Sequence, residues 1–182
     1  LVARYRLRGR RVLEIGCGKG EFLLQLCRAG DCEGVGIDPS YVPDRLPLEP
    51  GDRLTFLQEP YGPRHACLAA DFIACRHTLE HIADVRRFLA AIVESLDGRS
   101  DVDVWIEVPD VGRVLEEGAF WDIYYEHCSY FTPGSLARLY RTAGLAPDEL
   151  GLEFEDQYIV IGGRLRGHAT AGGVEAAAPG PG

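Results

Sequence analysis

The stretch VLEIGCGKGE, residues 12–21, sets the reading of the whole chain. The apolar run RVLEIG (11–16) has the character of a buried strand. It breaks into three alternating glycines, Gly16, Gly18 and Gly20, and continues as GEFLLQLCRAG (20–30), an amphipathic run closed by Gly30. Glycines at a strand-to-helix junction permit a tight turn and let a ligand approach the backbone.

The same alternation repeats outward. GVGID (34–38), LTFLQ (54–58), DFIACR (71–76) and DVWIEVPD (103–110) read as further strands, with a Pro-rich connection at 43–50. ADVRRFLAAIVESL (83–96) reads as an amphipathic helix. PGSLARLYRTAG (133–144) reads as another, with Pro133 near its first position and Gly144 at its end. The run 150–165 reads as a closing antiparallel pair. Alternating strands and helices predict an α/β fold, a doubly wound and mostly parallel Rossmann-like sheet. One domain is expected over 1–166, followed by a small-residue, Pro/Gly-rich tail at 167–182 expected to be disordered.

Three readings of the glycine turn compete. A dinucleotide site wants G-x-G-x-x-G, but here the third glycine comes one residue early and Glu21 takes its place. A phosphate-binding P-loop wants G-K-[ST], but Lys19 is followed by Gly20. The third reading rests on a resemblance. The run from Glu14 to Gly20 resembles the E/D-x-G-x-G-x-G turn of class I methyltransferases, which bind S-adenosylmethionine (SAM). That resemblance implies a seven-stranded sheet with an antiparallel last strand, and SAM as cofactor. Glu14 would lie near the cationic methionine end, with Gly16, Cys17, Gly18 and Gly20 around the methionine and ribose. Asp38, ending the second strand, would take the ribose hydroxyls. Pro39 and Ser40 would border the adenine, Gln58 or Glu59 would approach its edge, and Arg76 would face the methyl donor.

Composition narrows the classes of function. The 182 residues suffice for one domain with a sizeable core. A net charge of −9 argues against nucleic acid and against an anionic membrane surface. No apolar run is long enough for a membrane-spanning helix. None of the six cysteines forms a C-x-x-C, and their scatter suits reduced, mostly buried thiols and a cytoplasmic setting. The chain begins at Leu1 and contains no methionine, so it reads as a piece of a longer protein.

A second motif, CRHTLEHIAD (75–84), contains His77-x-x-Glu80-His81. That spacing is a zinc-protease signature when it lies on a helix. Here it follows the fourth strand of a sheet already explained as a cofactor fold, so no metal site is expected. At the carboxyl edge, where doubly wound sheets bind ligands, His77 is the candidate for chemistry. Glu80 and His81 are read as supporting groups.

A third stretch, FWDIYYEHCSYF (120–131), follows the fifth strand and would lie over the same edge. Its aromatic rings offer apolar walls for a small substrate, and Glu126 with His127 a base or an orienting pair. The run from RHTLEHI through IEVPD to FWDIYYEHCSYFTPGSLARLYRTAG resembles the nucleotide-sugar C-methyltransferases, which build branched deoxysugars. The likeness covers about residues 11–165, and Y-x-E-H-x-x-Y-F is its most specific piece. It implies that Tyr124, Glu126 and His127 line the active site together with a histidine after the fourth strand, His77 or His81, with His77 favoured by position. Members of that family also carry an N-terminal zinc domain and a C-terminal domain, both absent from this stretch and both contributing to the substrate site.

The chemistry the resemblance implies is C-methylation through an enolate. His127, polarised by Glu126, would remove a proton beside a ketone, and His77 and Tyr124 would bind the oxygen or orient the sugar, with the roles of the two histidines interchangeable at this point. A small-molecule partner is expected, with a nucleotide-sugar as the specific candidate. Two other readings stand beside it: a class I O- or N-methyltransferase of another small molecule, and a non-catalytic SAM-binding module of a larger protein.

Overall fold

The computed structural model describes residues 1–167. The tail expected at 167–182 lies outside the described residues, Gly167 excepted. Seven strands form one sheet in the order β3-β2-β1-β4-β5-β7-β6. β1 (Arg11–Ile15), β2 (Glu33–Ile37), β3 (Leu54–Leu57), β4 (Phe72–Arg76) and β5 (Asp103–Pro109) pair in parallel. β7 (Tyr158–Leu165) runs antiparallel to both β5 and β6 (Leu145–Glu153).

Side chains alternate across the sheet and give it two apolar faces. Leu13, Ile15, Ile73, Cys75, Val104 and Ile106 point to one face. There they pack against Leu89 and Ile92 of α2 (Val85–Ser95) and Leu136 and Tyr140 of α4 (Pro133–Thr142). Val12, Phe72, Ala74 and Trp105 point to the other, under Leu23 and Leu26 of α1 (Glu21–Gly30) and Tyr5 and Leu7 of the N-terminal segment. Helices on both faces make the sheet doubly wound, as the sequence predicts.

Two elements differ from the sequence reading. A short helix, α3 (Val111–Glu117), follows β5, capped by Asp110, whose carboxylate accepts from the amides of Gly112 and Arg113. β6 begins at Leu145, five residues before the expected pair, and passes through Pro147 with a bulge between Pro147 and Glu149. β6 is an edge strand, where a proline removes no ladder hydrogen bond that the sheet needs. No helix among the described residues is long and apolar enough to cross a membrane.

This topology puts the carboxyl ends of β1, β2 and β4 side by side. Strand order reverses direction between β1 and β4, so a crevice opens there.

Candidate functional site

A cleft of about 830 Å³ fills that crevice. Its floor is the turn after β1. Gly16 has φ +76, and a Cβ there would fall 1.8 Å from Thr78 Oγ1, so the loop after β4 approaches too closely for any side chain. Gly18 has φ +53 and open space where its Cβ would be, which leaves its backbone facing the cleft. Gly20 does not line the cleft. Its missing side chain makes room for the Phe56 ring and Leu46 as α1 begins.

Asp38 closes the seam between this turn and β2. Its Oδ2 accepts the Gly18 amide at 2.8 Å, and its Oδ1 accepts the amide and hydroxyl of Ser40 at 2.7 and 2.6 Å. Pro39, Ser40, Pro60 and Tyr61 continue the wall. Gln58 is exposed and lies outside the lining. Glu59 is turned away, paired with Arg64 and His65.

At the other end sits Glu14, 2% exposed, with its Oε2 buried and without a hydrogen-bond partner. Burial pushes its carboxyl up to about 8, against the opposing pull of Arg76 and the Leu23 amide. An orphaned acidic oxygen at a cleft wall fits a cationic ligand group. Cys17 is buried here too, and burial with the nearby Glu14 and Asp38 carboxylates raises its thiol to about 12, so it is no nucleophile.

Arg76 and His77, at the end of β4, meet the same buried acid. Glu107 of β5 accepts from Arg76 Nε at 2.9 Å and from His77 Nε2 at 3.0 Å, both on Oε1. Burial alone would raise the Glu107 carboxyl, but its contacts with His77 and Arg76 prevail and hold it below the usual range. The Arg76 guanidinium lies 4.2 Å over the Phe22 ring. His77 takes a left-handed backbone, φ +46, and its ring meets Tyr158 edge-on at 4.6 Å.

His77 and His81 form the wall between the cleft and a second, smaller pocket of about 230 Å³. Tyr124 and His127 line this second pocket. Their segment is tied down where the amides of Cys128 and Ser129 donate to the Glu80 carbonyl. The His127 ring lies 4.8 Å from His81 and 5.1 Å from Tyr124. Burial and the neighbouring His81 hold His127 below its ordinary value, in favour of the neutral ring. The aromatic wall expected of 120–131 is thinner than its sequence suggests, because Phe120, Trp121 and Tyr125 are exposed. Glu126 reaches the cluster through its carbonyl, 3.2 Å from His81 Nδ1, and its carboxylate is not hydrogen-bonded to His127.

Of the residues singled out from sequence, the structure brings together two sets. Glu14, Gly16, Cys17, Gly18, Asp38, Pro39 and Arg76 share the cleft with His77, while Tyr124 and His127 share the second pocket with it. Glu107 was missed. Its signal was a carboxylate between the apolar residues Ile106 and Val108 of the strand VDVWIEVP, a placement that burial rarely tolerates without a partner.

A family model for a methyltransferase domain matches residues 1–150. The chain is 30% identical over 143 residues to C-methyltransferase NovU of Streptomyces niveus, an alignment taking in 75% of this chain and 33% of that protein. It is 31% identical over 167 residues to ubiquinone biosynthesis O-methyltransferase of Bordetella avium, taking in 81% of this chain and 67% of that protein. Among solved structures, Burkholderia thailandensis 1,6-didemethyltoxoflavin-N1-methyltransferase, bound to 1,6-didemethyltoxoflavin and S-adenosylhomocysteine, has the same fold. The TM-score is 0.69 at 21% identity, over 92% of this chain and 75% of that one.

Proposed function

The chain belongs to the methyltransferase-domain family, and from that premise we propose that it transfers a methyl group from SAM to carbon of a nucleotide-linked keto-deoxysugar, by way of an enolate. SAM, when bound, supplies a methyl group on a sulfonium, electrophilic enough for a carbanion-like carbon to attack.

The cleft suits that cofactor by its donor set. Glu14 offers an unpartnered carboxylate oxygen to an ammonium group. Asp38 presents an acceptor pair to a vicinal diol, and Pro39, Ser40 and Tyr61 give a flat wall for a purine. Gly16 and Gly18 leave the space between these ends free of side chains.

The observation that carries the reading is the shared wall. His77 and His81 line both the cofactor-sized cleft and the pocket that holds Tyr124 and His127. A substrate in the smaller pocket then meets the cleft across those two rings. His127 takes the proton beside the ketone. His77, its N–H held by Glu107, orients the sugar, and the Tyr124 hydroxyl donates toward the oxygen as charge develops there, the kind of preorganised donor that contributes most to such steps. Glu126 braces the pocket wall through its carbonyl on His81 Nδ1.

The test is hydrogen exchange. A keto-deoxysugar nucleotide incubated with the protein and S-adenosylhomocysteine in D2O should lose its α-hydrogen, and His127→Asn should stop this. Full turnover by His127→Asn would sink the base assignment. A second reading, methylation of oxygen on another small molecule, is favoured by the 31% identity to an O-methyltransferase. It predicts methyl transfer with no exchange at carbon.

A further inference from the structure

The His77-x-x-Glu80-His81 run does not form a helical ligand pair. Leu79–His81 is a single 3-10 turn, and the His77 ring is drawn away toward Glu107. A different trio forms instead. One ligand-capable atom from each of Glu80, His81 and His127 lies within 4.8 Å of the others.

Three features of this trio resemble a ligand site. Glu80 is 2% exposed, and its Oε2 is buried with no hydrogen-bond partner among the described residues. A carboxylate oxygen in that state is costly unless a cation meets it. His81 Nδ1 lies 3.2 Å from the Glu126 carbonyl, which fixes the proton there and leaves Nε2 as the free lone pair. Histidines that bind metals are held by such a contact on the other nitrogen. Lastly, the two segments carrying the trio are clamped by the Cys128 and Ser129 amides on the Glu80 carbonyl, so the ligands are held to one place.

We propose that Glu80, His81 and His127 bind a divalent transition-metal cation of the zinc class. Two imidazoles and one carboxylate are the donor set such ions prefer, and three protein ligands leave a coordination position open to the pocket of about 230 Å³. Donors about 2 Å from one ion sit about 3.4 Å apart, so the exposed His81 ring has to swing in by roughly 1 Å. A bound ion occupies the lone pair of His127. Loading the site therefore withdraws the residue assigned as base, and this consequence alone rests on the proposed function.

The experiment is calorimetric titration of zinc chloride into the full 182-residue chain after chelator treatment. About one equivalent should bind. Affinity should fall by about 10-fold or more in Glu80→Gln and in His81→Ala. His81 is exposed, so His81→Ala keeps the fold even if Glu80→Gln does not. The double variant Cys67→Ser/Cys128→Ser, which removes the exposed thiols, should bind zinc like the parent. Binding that survives His81→Ala, or disappears with the thiols, overturns the site. In a separate arm, one equivalent of zinc should suppress α-hydrogen exchange. Zinc binding that depends on His81 but leaves exchange untouched would keep the site and refute His127 as the base.

Discussion

Asp38 accepts the amide hydrogen of Gly18 at 2.8 Å, across the seam between the turn after β1 and the end of β2. The bond holds a carboxylate where a diol would meet it, and ties the turn to the cleft wall through Ser40. Asp38→Ala should weaken SAM binding by about 10- to 100-fold, or about 1.4–2.7 kcal/mol, in calorimetry. Asp38→Asn keeps the shape and replaces one acceptor by a donor, so it should lose nearly as much affinity with less loss of thermal stability. Unchanged SAM affinity in Asp38→Ala would remove the ribose role.

Glu14 makes the cleft sensitive to pH. Its carboxyl is raised by burial from 4.5 to about 8, so the folded protein holds a proton that the unfolded chain releases. The resulting stabilisation is complete below about pH 4.5 and is lost as pH rises through about 8, by up to about 1.4 kcal/mol per unit in between. Thermal stability of the unliganded protein should therefore fall across that window. Glu14→Gln should flatten the slope. An ammonium beside Glu14 favours the ionised form, so SAM should bind more tightly toward pH 8 and release a proton at pH 6. Calorimetry in two buffers of different ionisation enthalpy measures that proton, and Glu14→Gln should abolish it.

Glu107 holds Arg76 and His77 from a single buried oxygen. Glu107→Gln removes the charge and one acceptor while preserving volume. Turnover should fall by about 10- to 100-fold, the usual cost of losing an orienting contact behind a working group. The Michaelis constant for SAM should move much less, because Asp38 and Glu14 are untouched. A stability loss with unaltered turnover would make Glu107 a structural residue only.

The readable parts of the sequence were those governed by local rules. Val12, Leu13 and Ile15, then Phe72, Ile73 and Cys75, alternate between two apolar faces, and that pattern alone yields the strands and the doubly wound sheet. Gly16 and Asp38 were legible because a turn and a strand end each constrain them. The helix α3 was not, because seven residues carry too little periodicity and its Asp110 cap reads as the end of a strand. Nor was the true edge of the cleft. Gln58 follows β3 directly yet points to solvent, while Tyr61, three residues on, turns in. The Glu80–His81–His127 trio was illegible for a different reason. His127 comes from beyond β5, and only the main-chain clamp on Glu80 brings it to the loop after β4.

The turn after β1 separates two requirements that its glycines share. A methyl at Gly16 would sit 1.8 Å from Thr78 Oγ1, on a backbone of φ +76. Gly16→Ala should cost about 3 kcal/mol or more, from steric overlap plus left-handed strain. Adding Thr78→Gly removes all three of the close atoms, so it should recover the steric part and leave the strain. Gly18→Ala has φ +53 but nothing within 4 Å of the new methyl. It should cost only about 1 kcal/mol of stability, yet place the methyl in the cleft and weaken SAM binding. Urea denaturation with calorimetry on both variants separates the two. A Gly16→Ala protein as stable as the parent would mean that the loop after β4 does not close on the turn. A Gly18→Ala protein with unchanged SAM affinity would mean that the cofactor does not pass over Gly18.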